Sequence, residues 1–377
     1  MITVPTKLSN AAAWLPAKQA RLEVGAAPYP HPGAGEIVVR NRAVAVNPID
    51  WIIQLIGTTV FPWIKYPFVL GADLAGDVVQ VGDGVTRFRV GDRVLGHAVG
   101  TDKKRNSSAE GSFQEHTVVL AHLAAPIPAE LSYEQAAVLP LALSTAACGL
   151  FQSDHLALNH PRVDATPTGR TVLIWGGSTS VGANAIQLAV AAGYEVIATA
   201  SPKNFDYVRG LGAGQVFDYR SATVVQDIVA AFAGRTSAGA LAIGDGSARQ
   251  CVKIVRAVGG NKFISTATAG SFDGLPDRPK FLTQVAPRLI GILLSGVRVG
   301  HQMRSNRIRT KAIFGSTLMD NEVGPAIYVD FLPDTLAQGR YTAAPPARVV
   351  GHGLGQVQHA LDVQRKGVSA EKIVVSL

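Results

Sequence analysis

Along the chain, apolar positions first recur in short runs broken by turns and later gather into longer periodic ones. Between about Ala20 and Ala125 the runs Glu36 to Asn41, Ala75 to Val81, Asp92 to Gly96 and Phe113 to Leu120 are separated by Gly, Pro and Asp. This predicts strand after strand, with no long amphipathic helix between them, in a β-rich, barrel-like domain. From Leu131 the pattern changes. Ser132-Tyr133-Glu134-Gln135 opens a helix, and Ala136 to Phe151 continues it in Ala and Leu. Beyond it, the apolar strands Thr171 to Trp175, Tyr194 to Thr199, Gln215 to Asp218, Ala240 to Ile243 and Lys262 to Ser265 alternate with helical stretches. Those stretches stop at Gly193, Gly212, Gly234 and Gly259. Strict alternation predicts right-handed crossovers and a doubly wound parallel sheet that takes its ligand at the strands' C-terminal ends.

Thr266 to Arg309 is less regular and contains an apolar, helix-like run, Phe281 to Leu294, suited to cover the sheet or wall a substrate pocket. Arg309 to Phe314 predicts a strand and Glu322 to Gln338 a helix. Arg348 to Gly351, Leu354 to Lys366 and Lys372 to Ser376 read as strand, helix, strand, returning to the first domain. The expected domains are therefore 1–135, completed by 320–377, and 136–319.

Composition narrows the class. At 377 residues the chain exceeds what one core usually organises, and 47% apolar against 16% charged residues argues for large buried sheets. The net charge of +8 raises nucleic acid as a partner. The densest basic patches, Lys103-Lys104-Arg105 and Arg304 to Lys311, are not interleaved with aromatics, so no nucleic acid is expected. The second patch suits a flank of a cofactor or an acidic partner. Two cysteines in apolar helical context, Cys148 and Cys251, read as reduced thiols of a cytosolic protein. Met1 to Pro5 has no signal-peptide pattern and no apolar run reaches spanning length, so no membrane partner is expected.

The chemistry centres on Val172 to Gly182, an apolar strand that runs through Gly176-Gly177-Ser178-Thr179-Ser180-Val181-Gly182 into a helix, the arrangement by which backbone N–H groups hold a pyrophosphate. Gly177 and Gly182 occupy the first and third glycine positions of G-x-G-x-x-G. Thr179 stands at the second, where its hydroxyl, with those of Ser178 and Ser180, could donate to phosphate. The alternative is an ordinary tight turn with no ligand. About 20 residues on, an NAD-binding chain carries an acid for the ribose 2′-hydroxyl. Here Ser201-Pro202-Lys203-Asn204 follows the second strand, with Ser201 at the N-cap and Pro202 at the first helical position. A hydroxyl and an ammonium suit a 2′-phosphate, so the expected cofactor is NADP(H). The alternative for Lys203 is a solvated first-turn lysine.

Several stretches taken together carry a resemblance: Ala45-Val46-Asn47-Pro48-Ile49-Asp50-Trp51, Pro67 to Val81, Val90-Gly91-Asp92-Arg93-Val94, Gly111 to Glu115, the glycine turn, and Gly210 to Tyr219. Over essentially its whole length the chain resembles the medium-chain dehydrogenase/reductase superfamily. The resemblance implies a GroES-like β-barrel domain joined to a Rossmann α/β domain. Where the zinc members place Cys and His, this chain has Asn47 and Ala72, and Thr101 to Ala109 stands in place of the four-cysteine lobe. A metal-free enzyme follows. The phrases Asn47 to Trp51, Ser201 to Asp206 and Val216 to Arg220 look closest to enoyl reductases that act in trans on polyketide synthases.

The resemblance further implies that Ser178 to Val181 hold the pyrophosphate, that Ser201, Lys203 and Asn204 hold the 2′-phosphate, and that Tyr219 reaches the same phosphate or the adenine side. Asn47 and Thr145 would lie against the nicotinamide, and Ser265, Thr266, Val368 and Ser369 would approach from the other side. Asp50 counts with the cofactor-facing residues, its other role being to cap the following helix. The expected reaction is hydride transfer from NADPH to the conjugated double bond of an α,β-unsaturated carbonyl, free or thioester-bound. A quinone reductase and a non-catalytic NADPH-binding scaffold are the alternatives. Trp51, Ile52 and Ile53 occupy the places where related reductases carry a Tyr or Lys proton donor, leaving water, Tyr66 or a residue of 281–294 for that task. A homodimer is compatible with all of this.

Overall fold

The computed structural model describes residues 9–267, 272 and 274–377, so the reading of Met1 to Pro5 falls outside it. The first strands are β1 (Asn10–Leu15), β2 (Glu23–Ala27), β3 (Glu36–Ala45), β4 (Phe68–Val69), β5 (Asp73–Val81), β6 (Arg93–His97), β7 (His116–Leu120) and β8 (Ala124–Pro126). Then come β9 (Arg170–Trp175), β10 (Glu195–Ala200), β11 (Gln215–Asp218), β12 (Thr236–Ile243), β13 (Phe263–Ala267) and β14 (Arg309–Ala312). The last two are β15 (Ala347–His352) and β16 (Lys372–Ser376). The helices used below are α1 (Pro48–Val60), α2 (Tyr133–Ala136), α3 (Pro140–Phe151), α4 (Ser180–Ala191), α5 (Phe205–Gly210), α6 (Val224–Ala231), α7 (Ser247–Ala257) and α8 (Ala286–Ser305).

The chain folds as two units. The first takes the chain up to Pro140 with Ala347–Gly367 and Ile373–Leu377. Its larger sheet runs β15-β16-β3-β5-β6-β8, with β7 also paired to β3, and β2-β1-β4 forms a smaller sheet. Antiparallel pairing of β3 with β5 and of β5 with β6 is the expected β-rich front. The strand that was read from Phe113 begins at His116.

Unit 1 also holds a helix hidden from the strand pattern. In α1, Pro48 sits in the first turn and every residue from Asp50 to Gly57 is buried. The strand pattern passes over it, and the cap expected at Asp50 was the one local sign of a helix here.

The second unit comprises Leu141–Pro346 and Val368–Lys372. Its six strands pair in parallel in the order β11-β10-β9-β12-β13-β14. Against one face, Leu173, Trp175 and Ile197 of the sheet pack with Ile228 and Phe232 around α6 and with Ile254 and Val255 of α7. Each such burial contributes roughly 1.5–3 kcal/mol. The left-handed stop after α7 falls on Gly260, one residue beyond the expected Gly259.

The return to unit 1 comes at Ala347, later than the boundary expected at 320. Residues 320–346 are held in unit 2 by polar pairs. Tyr328 and Ser144 share a hydroxyl bond of 2.7 Å, Tyr341 donates to Asn184 at 2.7 Å, and Gln187 accepts the Thr342 amide at 2.8 Å. Those partners are buried, where an unmade bond costs on the order of 1–3 kcal/mol, and Ile327, Phe331 and Leu332 of the same segment are buried beside them.

Candidate active site

The order of the parallel sheet reverses at β9, which has β10 on one side and β12 on the other. The crevice at the carboxyl ends of such strands is where open α/β sheets take ligands, and the glycine turn opens there. A Cβ on Gly182 would come 2.1 Å from the Gly176 carbonyl oxygen, so only glycine lets the first turn of α4 lie this close to the loop. At Gly177 a Cβ would press on Ala198, Ile186 and Val208 at 3.1 to 3.2 Å.

Thr179 is the N-cap of α4. Its hydroxyl donates to Gly176 O at 2.8 Å and accepts from the Gly182 amide at 3.0 Å. The donation expected from Thr179 to phosphate is therefore corrected: that proton closes the turn instead. Among the described residues the hydroxyls of Ser178 and Ser180 make no hydrogen bond, and neither do the amides of Ser180 and Val181. Open amides at the start of a 12-residue helix, with its dipole behind them, make an anion site.

At the end of β10, Ser201 leads into the turn Pro202–Asn204 and then α5, and its side chain makes no cap bond. Lys203 is exposed, whereas Asn204 is buried and donates through Nδ2 to Ser369 Oγ at 3.2 Å. The structure thus joins two expected cofactor residues far apart in sequence, and it places Val368 beside them in the same unit. Ala200 registers with Asp218, so Ser201 and Tyr219 leave adjacent strand ends. Tyr219 is exposed and its hydroxyl accepts from Arg220 Nε at 3.1 Å, the guanidinium standing 5.1 Å from the ring centre. Arg220 escaped the sequence reading, although it directly follows Tyr219. Asp218, on the neighbouring strand, is occupied with the Arg220 amide at 3.0 Å.

The remaining unit 2 residues separate. Thr266 stands at the carboxyl end of β13, where its hydroxyl donates to Lys311 O at 3.3 Å. Ser265 turns inward, fully buried, donating to Gly149 O at 2.8 Å and lying 3.2 Å from His155 Nδ1, so its hydroxyl is spent inside the fold. Thr145, on α3, donates to Leu141 O at 2.7 Å and keeps acceptor capacity. Gly315 packs on it so closely that a Cβ there would lie 3.0 Å from Thr145 Oγ1.

Unit 1 brings together a second set. Asn47, at the N-cap of α1, donates through Nδ2 to Asp73 Oδ2 at 2.8 Å. Its amide donates to Asp50 Oδ2, also at 2.8 Å, so Asp50 is buried as a cap on its own helix. Asp73 and His97 face each other across β5 and β6, both buried. Burial pushes the His97 imidazole down to about 4, with Asp73 and Asp102 opposing part of that, so His97 is neutral near pH 7. Its Nδ1 has no hydrogen-bond partner among the described residues. Neither Asp73 nor His97 counted among the candidate site residues, His97 reading as structural from sequence, yet a carboxylate inside the apolar run Pro67 to Val81 was a readable signal, since a buried charge needs partners. Among the described residues no three His, Cys, Asp or Glu side chains gather.

Residues 33–129, within unit 1, match the alcohol dehydrogenase GroES-like domain. The chain is 56% identical to a protein named dehydrogenase pigH from Monascus ruber, across 98% of this chain and 100% of that one. It is 38% identical to trans-enoyl reductase himH from Aspergillus japonicus, over 98% of both. Among solved structures, an alcohol dehydrogenase superfamily protein from Novosphingobium aromaticivorans superposes with a TM-score of 0.71 at 27% identity, over 98% of this chain and 99% of that one.

Proposed function

The chain belongs to the medium-chain dehydrogenase/reductase superfamily, on its zinc-free branch, and from that premise we propose that this oxidoreductase is an NADPH-dependent reductase of α,β-unsaturated carbonyl compounds. The observation that carries the choice of cofactor is the rim at the ends of β10 and β11. Ser201 offers a hydroxyl, Lys203 an ammonium and Arg220 a guanidinium, while residues 201–205 directly after β10 carry no carboxylate. A 2′-phosphate is welcomed by these groups, and a bare ribose diol finds no carboxylate among them, with only the Ser201 hydroxyl to accept a hydrogen bond. The turn fits the rest of a dinucleotide, with a loop too tight for a Cβ at position 182 and open amides behind it.

When bound, NADPH supplies the hydride, delivered to the β-carbon of a conjugated C=C–C=O group. The protein's part is to hold and to orient. Ser178, Ser180 and Val181 bind the pyrophosphate through amides and hydroxyls. Ser201, Lys203 and Arg220 bind the 2′-phosphate with Tyr219 beside them, and Ser369 steadies Asn204 below. Asn47 and Thr145 are assigned to the reacting end, Asn47 held in place by Asp73. Asn47 and Ala72 leave no ligand set for a catalytic zinc, which favours an acceptor whose own conjugation delocalises the arriving charge. Ile52 and Ile53 are buried and offer no acidic proton, which leaves water, Tyr66 or a residue of 281–294 to protonate the α-carbon. The relative named as a trans-enoyl reductase supports the same substrate class.

The test is a panel of enones, enoyl thioesters and quinones mixed with the purified full chain and NADPH, followed at 340 nm. Turnover of enones or thioesters, with NADH at least tenfold poorer, is expected. Consumption confined to quinones replaces the substrate class, and tight NADPH binding without consumption of any acceptor overturns the enzyme reading.

A further inference from the structure

The chain's excess of positive charge has one address. From Arg278 to Met319 there are eight Lys and Arg residues and no Asp or Glu, as many cations as the net excess of the whole molecule. Arg278, Lys280, Arg304, Arg307 and Arg309 are exposed, and Lys311, also exposed, is ion-paired with Asp154. In the middle of this stretch lies α8. Its Ile290, Leu293, Leu294 and Val297 recur at the spacing of one helix face, and they are 55%, 67%, 58% and 62% exposed. Ile292 and Leu282 add to the apolar surface at 40% and 80%. The contrast with α7 is direct, because Cys251, Val252, Ile254 and Val255 of that helix are all at most 3% exposed. The helix α8 does bury residues at its two ends, Val285 just before it and Met303 in its last turn, each at most 3% exposed. The outward stripe between them is the other face of an anchored helix.

We propose that α8 lies in the interface of an anionic lipid bilayer, its aliphatic stripe among the acyl chains and the flanking cations on the headgroups. An acid-free stretch rimmed with arginines is complementary to a surface of one sign, and a folded protein partner more often matches cations with acids interspersed. The stripe is aliphatic and outward rather than recessed. A bilayer accepts a convex apolar helix of this kind, while protein interfaces concentrate Trp, Tyr and Arg in fitted pockets. The sequence expectation of no membrane partner concerned spanning helices. Contrary to the expectation that no apolar run reaches spanning length, among the described residues Tyr133–Phe151 is long and apolar enough, but it is 78% buried in the fold, and a helix lying in the surface plane is a different mode of contact.

Co-sedimentation of the full chain with phosphatidylcholine vesicles, with and without 30% phosphatidylserine, tests this. The bound fraction is expected to rise at least tenfold with phosphatidylserine and to fall back at high salt. Leu293→Asp with Leu294→Asp should abolish binding with an unchanged circular dichroism spectrum, and Arg304→Glu with Arg307→Glu should weaken it at least tenfold by a separate route. If the aliphatic pair fails to fold, the arginine pair alone decides. Equal binding to both vesicles, or to neither, overturns the proposal. So does a dimer in sedimentation velocity that the leucine substitutions dissociate, since a second copy would then cover the stripe. Binding of a single-stranded RNA that ignores the leucine substitutions likewise overturns it, assigning the cations to nucleic acid.

Discussion

Two helices of this molecule begin in opposite ways. The start of α1 is closed: the Asn47 amide is taken by the Asp50 carboxylate and the Asn47 side chain by Asp73, all of it buried. The start of α4 is open, with Thr179 folded back on its own turn and the amides of Ser180 and Val181 left without partners among the described residues. A closed start stabilises the fold and fixes a side chain. An open start leaves backbone donors for an anion that the chain does not itself supply.

Closing the open start sharpens this contrast most. Gly182→Ala puts a methyl 2.1 Å from Gly176 O, and NADPH affinity should fall by at least a hundredfold in a fluorescence titration, with a lowered melting temperature. Beside the closed one, on the strand that registers with Asp73, His97 should make itself felt in acid. His97 holds its proton only near pH 4 when folded, against 6.5 unfolded, so between those values the unfolded chain binds more protons and stability falls as pH drops. The loss amounts to about 3 kcal/mol across that window. Urea titrations from pH 7 to 4 should show it, and His97→Asn should flatten the slope.

Charge at the rim comes next. Lys203→Glu should weaken NADPH by roughly tenfold, about 1.4 kcal/mol, while leaving NADH unchanged or better, as judged from the two Kd values. Asp73→Asn keeps the shape around Asn47 and removes the charge from its hydrogen bond; kcat should fall severalfold, with the KM for NADPH little altered. The smallest effect belongs to Asp50→Ala, which removes one cap and should cost about 1 kcal/mol in thermal denaturation.

The same contrast explains what could be read from the chain alone. The parallel sheet, its glycine turn and the Ser201 rim are written locally, in alternation, in glycines and in a cap, so they stood out before any coordinates. What escaped depends on contacts between distant residues. The helix α1 was announced only by the cap at Asp50, and its extent was not, because Asp50 and Gln54 are buried together with the apolar side chains. Asp73 and His97 meet only through strand register, and Ser265 turned out to serve Gly149 because β13 packs against α3. The late return to unit 1 rests on Tyr328, Tyr341 and Thr342 finding partners on α3 and α4, which no local pattern announces.

The hydroxyl of Thr179 has one more consequence. By bracing the loop from within, it gives the phosphate cradle its shape before any nucleotide arrives, so docking needs no rearrangement of that backbone and forfeits little conformational freedom there. A threonine at this place therefore substitutes rigidity for the bare space a second glycine would have provided.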